Sequence, residues 1–294
     1  MSNGSDAASP SDVLRGLLTG HGLVRAPGVY DGLSAHLVRR AGFPVAYLTG
    51  AGVAAAGYGL PDIGLVTATE MLARAAVVVE ASQVPVIADA DTGYGNPIHV
   101  VRTVRDLERA GVAAIQLEDQ TFPKRCGHLS GKEVVAADDF VRKLHAALEA
   151  RTRNTVIIAR TDALGPHGID EAIARGRLYA AEGADLIFVE APRSRDEIKR
   201  IAGEIDAPLL FNVVPSGLTP DIGDDELEAL GYRLAIYPGA LLAPAVVAVT
   251  AALSGMGGRD PGEIVGPDGF FGAVGLEEWA DLGRRYQEGE VVWP

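Results

Sequence analysis

The sequence has a single cysteine, Cys126, in 294 residues. An intrachain disulfide is therefore excluded, which fits a reducing compartment. Long apolar runs are missing as well: no stretch reaches the ~18 uninterrupted apolar residues that a membrane-spanning helix needs. Residues 1–10 are rich in Ser, Ala, Asn and Gly and lack an apolar centre. They read as a disordered tail rather than a secretion signal, so a cytoplasmic location is expected. Basic residues are in deficit, with 26 Lys and Arg against 39 Asp and Glu and a net charge of -13. That balance argues against nucleic acid or an anionic membrane as a partner. It leaves a small anionic substrate open, because a metal ion and a few arginines can reverse the field locally.

Hydrophobic residues make up 48% and charged residues 22%, enough for a soluble globule with a large core. Short apolar, β-branched stretches alternate with helical patterns along the chain. The predicted strands are Leu23–Val29, Val45–Leu48, Val84–Ala88, Ala113–Leu117, Thr155–Ala159, Asp185–Val189, Pro208–Phe211 and Arg233–Ile236. Helices are expected from Ser11, from Ser34, and after the capping boxes Thr67-x-x-Glu70 and Ser194-x-x-Glu197. Further helices cover Asp138–Glu149, Ile169–Ala181, Asp225–Leu230 and the long apolar stretch Leu241–Leu253. Eight strand–helix units on one domain spell an α/β fold, the (β/α)8 barrel. A doubly wound open sheet is the alternative, but its Gly-rich first turn is absent. Residues 254–294 form a C-terminal extension: a Gly-rich connection, Ser254–Gly262, and a last helix, Leu276–Tyr286. Such a helix has little left to cover on its own barrel and is free to pack on a neighbouring subunit.

In this fold the active site lies at the C-terminal ends of the strands. Those ends carry Tyr30 and Asp31, Thr49 and Gly50, Asp89 and Asp91, Glu118, Arg160, Glu190, Asn212 and Tyr237. Singly, each is an ordinary turn former; their convergence on one rim makes a site. Asp89 and Asp91 are two residues apart at a strand end, so they are expected to face one place. Two like charges held together call for a cation, a proton or a donor network. With Glu118 they suit a hard cation, magnesium, with manganese as the alternative. Asp62 either joins them or caps a helix. Arg160 offers a bidentate clamp for an anion. Thr49, Gly50 and Ala51 offer backbone N–H groups, and Asn212 a donor for an oxyanion. Glu190 and Tyr47 are candidate bases. The loop Lys124-Arg125-Cys126-Gly127-His128 puts the thiol among cations, which lower a thiol's pKa. Its glycines, Gly127 and Gly131, suit a movable lid.

These stretches resemble the isocitrate lyase/phosphoenolpyruvate mutase superfamily. The match is carried by Asp89-Ala-Asp91-Thr-Gly-Tyr-Gly95, Glu118-Asp-Gln120, Lys124-Arg-Cys-Gly-His128, Ile158-Ala-Arg-Thr-Asp162, Tyr47-Leu-Thr-Gly50 with Gly59-Leu-Pro-Asp62, and Tyr237-Pro238. The resemblance implies a magnesium enzyme on a barrel whose eighth helix is swapped between subunits, a homotetramer built as a dimer of dimers. It implies that Asp89, Asp91 and Glu118 hold the metal and its waters, with Asp62 nearby. Thr49, Gly50, Ala51 and Arg160 would bind the carboxylate of a pyruvate-like unit, and Gly127, His128 and Asn212 would line the remainder. Cys126 would be the catalytic acid of a carbon–carbon lyase acting on a small 2-hydroxy or 2-oxo di- or tricarboxylic acid. A phosphonomutase acting on phosphoenolpyruvate or carboxyphosphonoenolpyruvate, an oxaloacetate-type hydrolase and a non-catalytic binding protein are the alternatives. The sequence departs from the methylisocitrate lyase pattern at Pro215 and Leu129, where those enzymes carry glutamate and arginine. Both departures fall on the distal half of the substrate.

Overall fold

The computed structural model describes residues 8–129, 131–258, 264 and 266–288. Eight parallel strands close into a barrel in sequence order: β1 (Val24–Val29), β2 (Ala46–Leu48), β3 (Val86–Asp89), β4 (Ala114–Glu118), β5 (Val156–Thr161), β6 (Leu186–Val189), β7 (Leu209–Asn212) and β8 (Tyr232–Tyr237). β8 pairs back onto β1, with Ile236 opposite Ala26. The (β/α)8 expectation is met. Most strands run one or two residues further at their C-terminal ends than the apolar pattern predicts. The added residues, among them Asp89, Glu118, Arg160 and Asn212, are polar and belong to the ladder all the same.

Helix α1 (Pro10–Thr19) precedes the barrel; α2 (Gly32–Arg40), α3 (Ala68–Ser82), α4 (Pro97–Ala110), α5 (Ala137–Ala150), α6 (Ile169–Ala181), α7 (Arg195–Glu204) and α8 (Asp224–Ala229) follow successive strands. α1 starts one residue earlier than predicted because Ser9 caps it, accepting a 3.2 Å bond from the Asp12 N–H. The first seven residues of the expected tail, residues 259–262 of the Gly-rich connection and the end of the C-terminal extension lie outside the described residues. The Thr67–Glu70 capping box closes reciprocally. The Ser194–Glu197 box is only half made. Ser194 accepts from the Glu197 N–H, but the Glu197 carboxylate accepts from the Arg193 N–H at 2.6 Å, one residue short of the cap.

Alternation along each strand divides the core in two. Outward residues such as Ala88, Ile115, Leu117, Ile157 and Ile187 pack under the helices. Inward residues Tyr47, Ile87, Ala114, Ile158, Phe188, Leu210 and Ile236 fill the barrel, and Leu14 and Leu18 of α1 join them to plug its lower end. Continuing the same period past the plug puts Asp89, Gln116, Glu118, Arg160 and Asn212 on the inner face at the upper mouth.

Helix α9 (Leu242–Gly255) forms as predicted but buries only Leu242; Val247, Val249 and Leu253 are exposed. Two helices follow, α10 (Gly266–Gly272) and α11 (Leu276–Gln287). No helix among the described residues is long and apolar enough to cross a membrane.

The seam between β1 and β8 tolerates no side chain at Gly28, where a Cβ would lie 2.3 Å from the Pro238 carbonyl oxygen. Gly28→Ala is expected to cost about 3 kcal/mol or to prevent folding. Gly16→Ala, on an exposed turn of α1 with nothing within 4 Å, should instead stabilise by about 0.5–1 kcal/mol. Paired thermal melts check both signs.

Candidate active site

The upper mouth of the barrel gathers charge that the interior does not favour. One carboxylate oxygen from each of Asp89, Asp91 and Glu118 lies within 4.8 Å of the others, and all three residues are buried. The route differs from the simple strand argument. β3 ends at Asp89, and Asp91 takes a left-handed φ of 46°. A tight turn, not the pleat, returns its carboxylate to the cluster. Gly50 is the floor of this turn: a Cβ there would stand 2.9 Å from Asp89 Oδ2. Its N–H donates to that same oxygen at 3.3 Å, so it serves the acid instead of the cavity. The Gly52 N–H likewise goes to Thr49 Oγ1.

Two cations partly balance the cluster. Lys124 Nζ lies 2.9 Å from Asp91 and is paired with Asp62. Asp62 thus reaches the cluster through Lys124 and is not one of the three converging carboxylates. Burial lowers the Lys124 pKa, but Asp62, Asp91, Glu118 and Asp89 outweigh it and hold the ammonium firmly charged. Arg160 Nη1 sits 3.3 Å from Glu118. Burial nevertheless pushes the Asp91 carboxyl up to about 6 and Glu118 well above its usual range. Neither Glu118 oxygen accepts a hydrogen bond. Three buried carboxylates, one with both oxygens free, fit a hard cation with oxygen ligands.

Arg160 is organised from below. Its Nε and Nη2 donate to both oxygens of Asp162, at 2.8 and 3.0 Å. Asp162 is fixed in turn by Asp119, which accepts from its N–H at 2.9 Å and also from Thr161, Arg175 and Tyr179. Arg160 is therefore ion-paired with acids and also faces the cavity.

Glu190 meets Arg160 Nη2 at 3.4 Å, His128 Nε2 at 3.2 Å and the Asn212 amide at 3.3 Å. Burial raises its pKa, yet Arg160 and His128 prevail and hold it near about 2. His128 Nδ1 accepts from the Leu218 N–H, which puts the ring proton on Nε2, facing Glu190. Asn212 spends its Nδ2 on Glu190, so its remaining group is an acceptor, Oδ1, and the expected oxyanion donor is already engaged.

One expectation for the cysteine loop is corrected. Burial, with Asp62 nearby, pushes the Cys126 thiol up to about 12 despite Lys124, so it stays protonated. Gly127 is required by packing. A Cβ there would fall 2.5 Å from Glu190 and 2.7 Å from Arg160 Nη2, so the glycine permits close approach. Tyr30, Asp31 and Tyr237 do not line the cavity: Asp31 caps α2, and Tyr237 donates to Asp224. Gln116, missed in the sequence, donates to Tyr47 Oη at 3.1 Å and to Asp89 at 3.4 Å. It was legible only as an inward position two residues before Glu118.

A cavity of about 360 Å³ opens over these groups, bounded by Tyr47, Thr49, Ala51, Asp89, Cys126, Gly127, His128, Arg160, Glu190 and Asn212. Its far wall is apolar, made by Val214, Pro215, Leu242, Val246, Phe270 and Phe271.

The phosphoenolpyruvate phosphomutase family model matches residues 14–256. The chain belongs to that family. It is 45% identical over 282 residues to the 2,3-dimethylmalate lyase of Eubacterium barkeri, covering 94% of this chain and 98% of that one. It is 46% identical over 229 residues to the 2-methylisocitrate lyase of Aeropyrum pernix, covering 78% and 74%. The solved structure of an oxaloacetate acetylhydrolase with 3,3-difluorooxalacetate superposes with a TM-score of 0.82 at 39% identity, over 95% of this chain and 97% of that one. Membership in the isocitrate lyase/phosphoenolpyruvate mutase superfamily, expected from the motifs, holds.

A divalent cation should relieve the mutual repulsion of the three carboxylates. Magnesium at about 100 times its Kd is expected to stabilise the fold by about 2.7 kcal/mol, a rise in Tm of several degrees. Asp89→Asn combined with Asp91→Asn should abolish that rise. Differential scanning fluorimetry with and without chelator reads both.

Proposed function

We propose that this chain is a magnesium-dependent carbon–carbon lyase, with manganese as a possible substitute. It would cleave a small 2-hydroxy dicarboxylic acid to a 2-oxo acid and a carboxylic acid. The observation that carries the proposal is one cavity lined by the Cys126 thiol and by Asp89 of the buried carboxylate trio, with an apolar remaining wall. Asp89, Asp91 and Glu118 would hold the ion, and Asp62 would act through Lys124. Bound there, the cation would acidify the substrate's 2-hydroxyl and neutralise its carboxylate. Arg160 would hold that carboxylate, beside Thr49 and Ala51 in the cavity lining.

Of the two candidate bases, Tyr47 is kept protonated by burial, beside the negative Asp89, while Glu190 is ionised. Glu190 therefore receives the hydroxyl proton. Arg160 and His128 keep Glu190 ionised, and a bound cation would lower the hydroxyl's own proton affinity. The C2–C3 bond then breaks, its electron pair passing into the second carboxyl group as an enolate. The Cys126 S–H protonates the former C3, and a thiol that is neutral at working pH suits this role. The apolar wall, with Pro215 where methylisocitrate lyases carry glutamate, favours an alkyl substituent over a third carboxylate.

The exposed apolar side of α9 supports assembly with further copies of the chain, in line with the expected dimer of dimers.

The purified chain with magnesium should release a 2-oxo acid from dimethylmalate or another 2-alkylmalate faster than from methylisocitrate or oxaloacetate. Cys126→Ser should lower that rate about 100-fold or more, while leaving the magnesium-induced rise in Tm intact. Phosphoenolpyruvate or phosphonopyruvate turnover in phosphorus NMR, with every hydroxy acid inert, would overturn the lyase reading.

A further inference from the structure

We propose that Lys132 is a positioning residue for the reaction proposed above, on which this inference rests: it fastens the Cys126 loop and the Arg160 guanidinium into one arrangement. Lys132 lies four residues beyond the Lys-Arg-Cys-Gly-His motif and is 9% exposed. Its ammonium donates to the Gly127 carbonyl at 2.6 Å and to Asp162 Oδ1 at 2.9 Å. The same Asp162 oxygen accepts from Arg160 Nη2 at 3.0 Å. One carboxylate thus binds both the cation that would hold the substrate and the cation that ties down the loop.

The backbone at Gly127 is flush against the Arg160–Glu190 pair, with no room for a Cβ. Pulling the Gly127 carbonyl toward Asp162 therefore seats the neighbouring thiol over the cavity. Lys132 itself does not line that cavity; it faces a separate outer cavity of about 950 Å³ on the far side of the loop. It acts through Gly127 and Asp162 and touches no reacting atom. The first half of the loop has its own ties: Lys124 to Asp62 and Asp91, and the Cys126 N–H to the Asp62 carbonyl at 3.0 Å. Removing Lys132 should consequently loosen the thiol without disturbing the carboxylate cluster.

Cys126 is the only cysteine, so its alkylation by iodoacetamide under native conditions reports the loop without any turnover. Lys132→Met keeps the stem and deletes the charge. It should raise the alkylation rate at least about tenfold, the equivalent of losing one charge-assisted buried hydrogen bond. Lys132→Arg should restore slow alkylation. Both variants should keep the magnesium-induced rise in Tm. With an alkylmalate as substrate, Lys132→Met should lower kcat about tenfold or more at unchanged magnesium half-saturation. Alkylation of Lys132→Met at the wild-type rate overturns the proposal. If Lys132→Met does not fold, Lys132→Gln takes its place, and equal rates in wild type, Lys132→Arg and Lys132→Gln overturn it. A wild-type chain that turns over no hydroxy acid counts against the lyase reading alone, since alkylation still decides the role of Lys132.

Discussion

The repulsion among buried carboxylates at the barrel mouth shapes everything near it. Asp62, Asp89, Asp91, Glu118, Asp162 and Glu190 are buried around one opening, and among the described residues Lys124, Lys132 and Arg160 oppose them there as buried cations. Buried charge is tolerated only when paired and hydrogen-bonded. The cations are accordingly shared. Lys124 serves two acids, and Arg160 serves Glu118, Asp162 and Glu190. The carboxylates outnumber the cations, and the least satisfied of them is Glu118, neither of whose oxygens accepts a hydrogen bond. The cluster of Asp89, Asp91 and Glu118 could therefore hold a cation at one place.

Satisfying the rest of that charge explains the layer below. Asp119 accepts four hydrogen bonds from Thr161, Arg175, Tyr179 and the Asp162 backbone. It lies on the outward side of β4, under helix α6, and fixes the loop after β5 from behind. The inner face supplies the reacting groups and the outer face keeps them still. Because adjacent residues on a strand point to opposite faces, Glu118 and Asp119 can divide these tasks while being neighbours in sequence.

Much of this was readable beforehand, for a definable reason. Strand number, order and closure follow from apolar period and length, and the polar residue ending each stretch marked the mouth. The strand period puts Glu118, Arg160 and Asn212 on the inner face, at even spacing from Ala114, Ile158 and Leu210. What the pattern could not give was contact at long range. Lys132 carries no local signal, because its partner, Asp162, is 30 residues away. Gln116 is a polar residue within an apolar strand, and its partner Tyr47 is 69 residues away. Cys126 looked activated because three basic residues flank it in sequence, whereas burial and Asp62 decide its state. Local charge counts predict a field only where water is absent and the neighbours in sequence are neighbours in space.

The division of the cavity into a charged wall and an apolar wall has a consequence for how the reaction can be selective. On the proposed reading, every group on the charged wall would recognise features common to all 2-hydroxy and 2-oxo diacids: a carboxylate, an adjacent oxygen and a bond to be broken. Discrimination must then come from the far side, where Val214 and Pro215 follow β7, and Phe270 and Phe271 come from α10. A methylene in such a pocket is worth about 1–3 kcal/mol, whereas a third carboxylate buried there without a cationic partner would cost several. The apolar wall thus excludes charge more sharply than it selects size. A tolerant range of alkyl groups is the physical expectation for a barrel mouth built in this way.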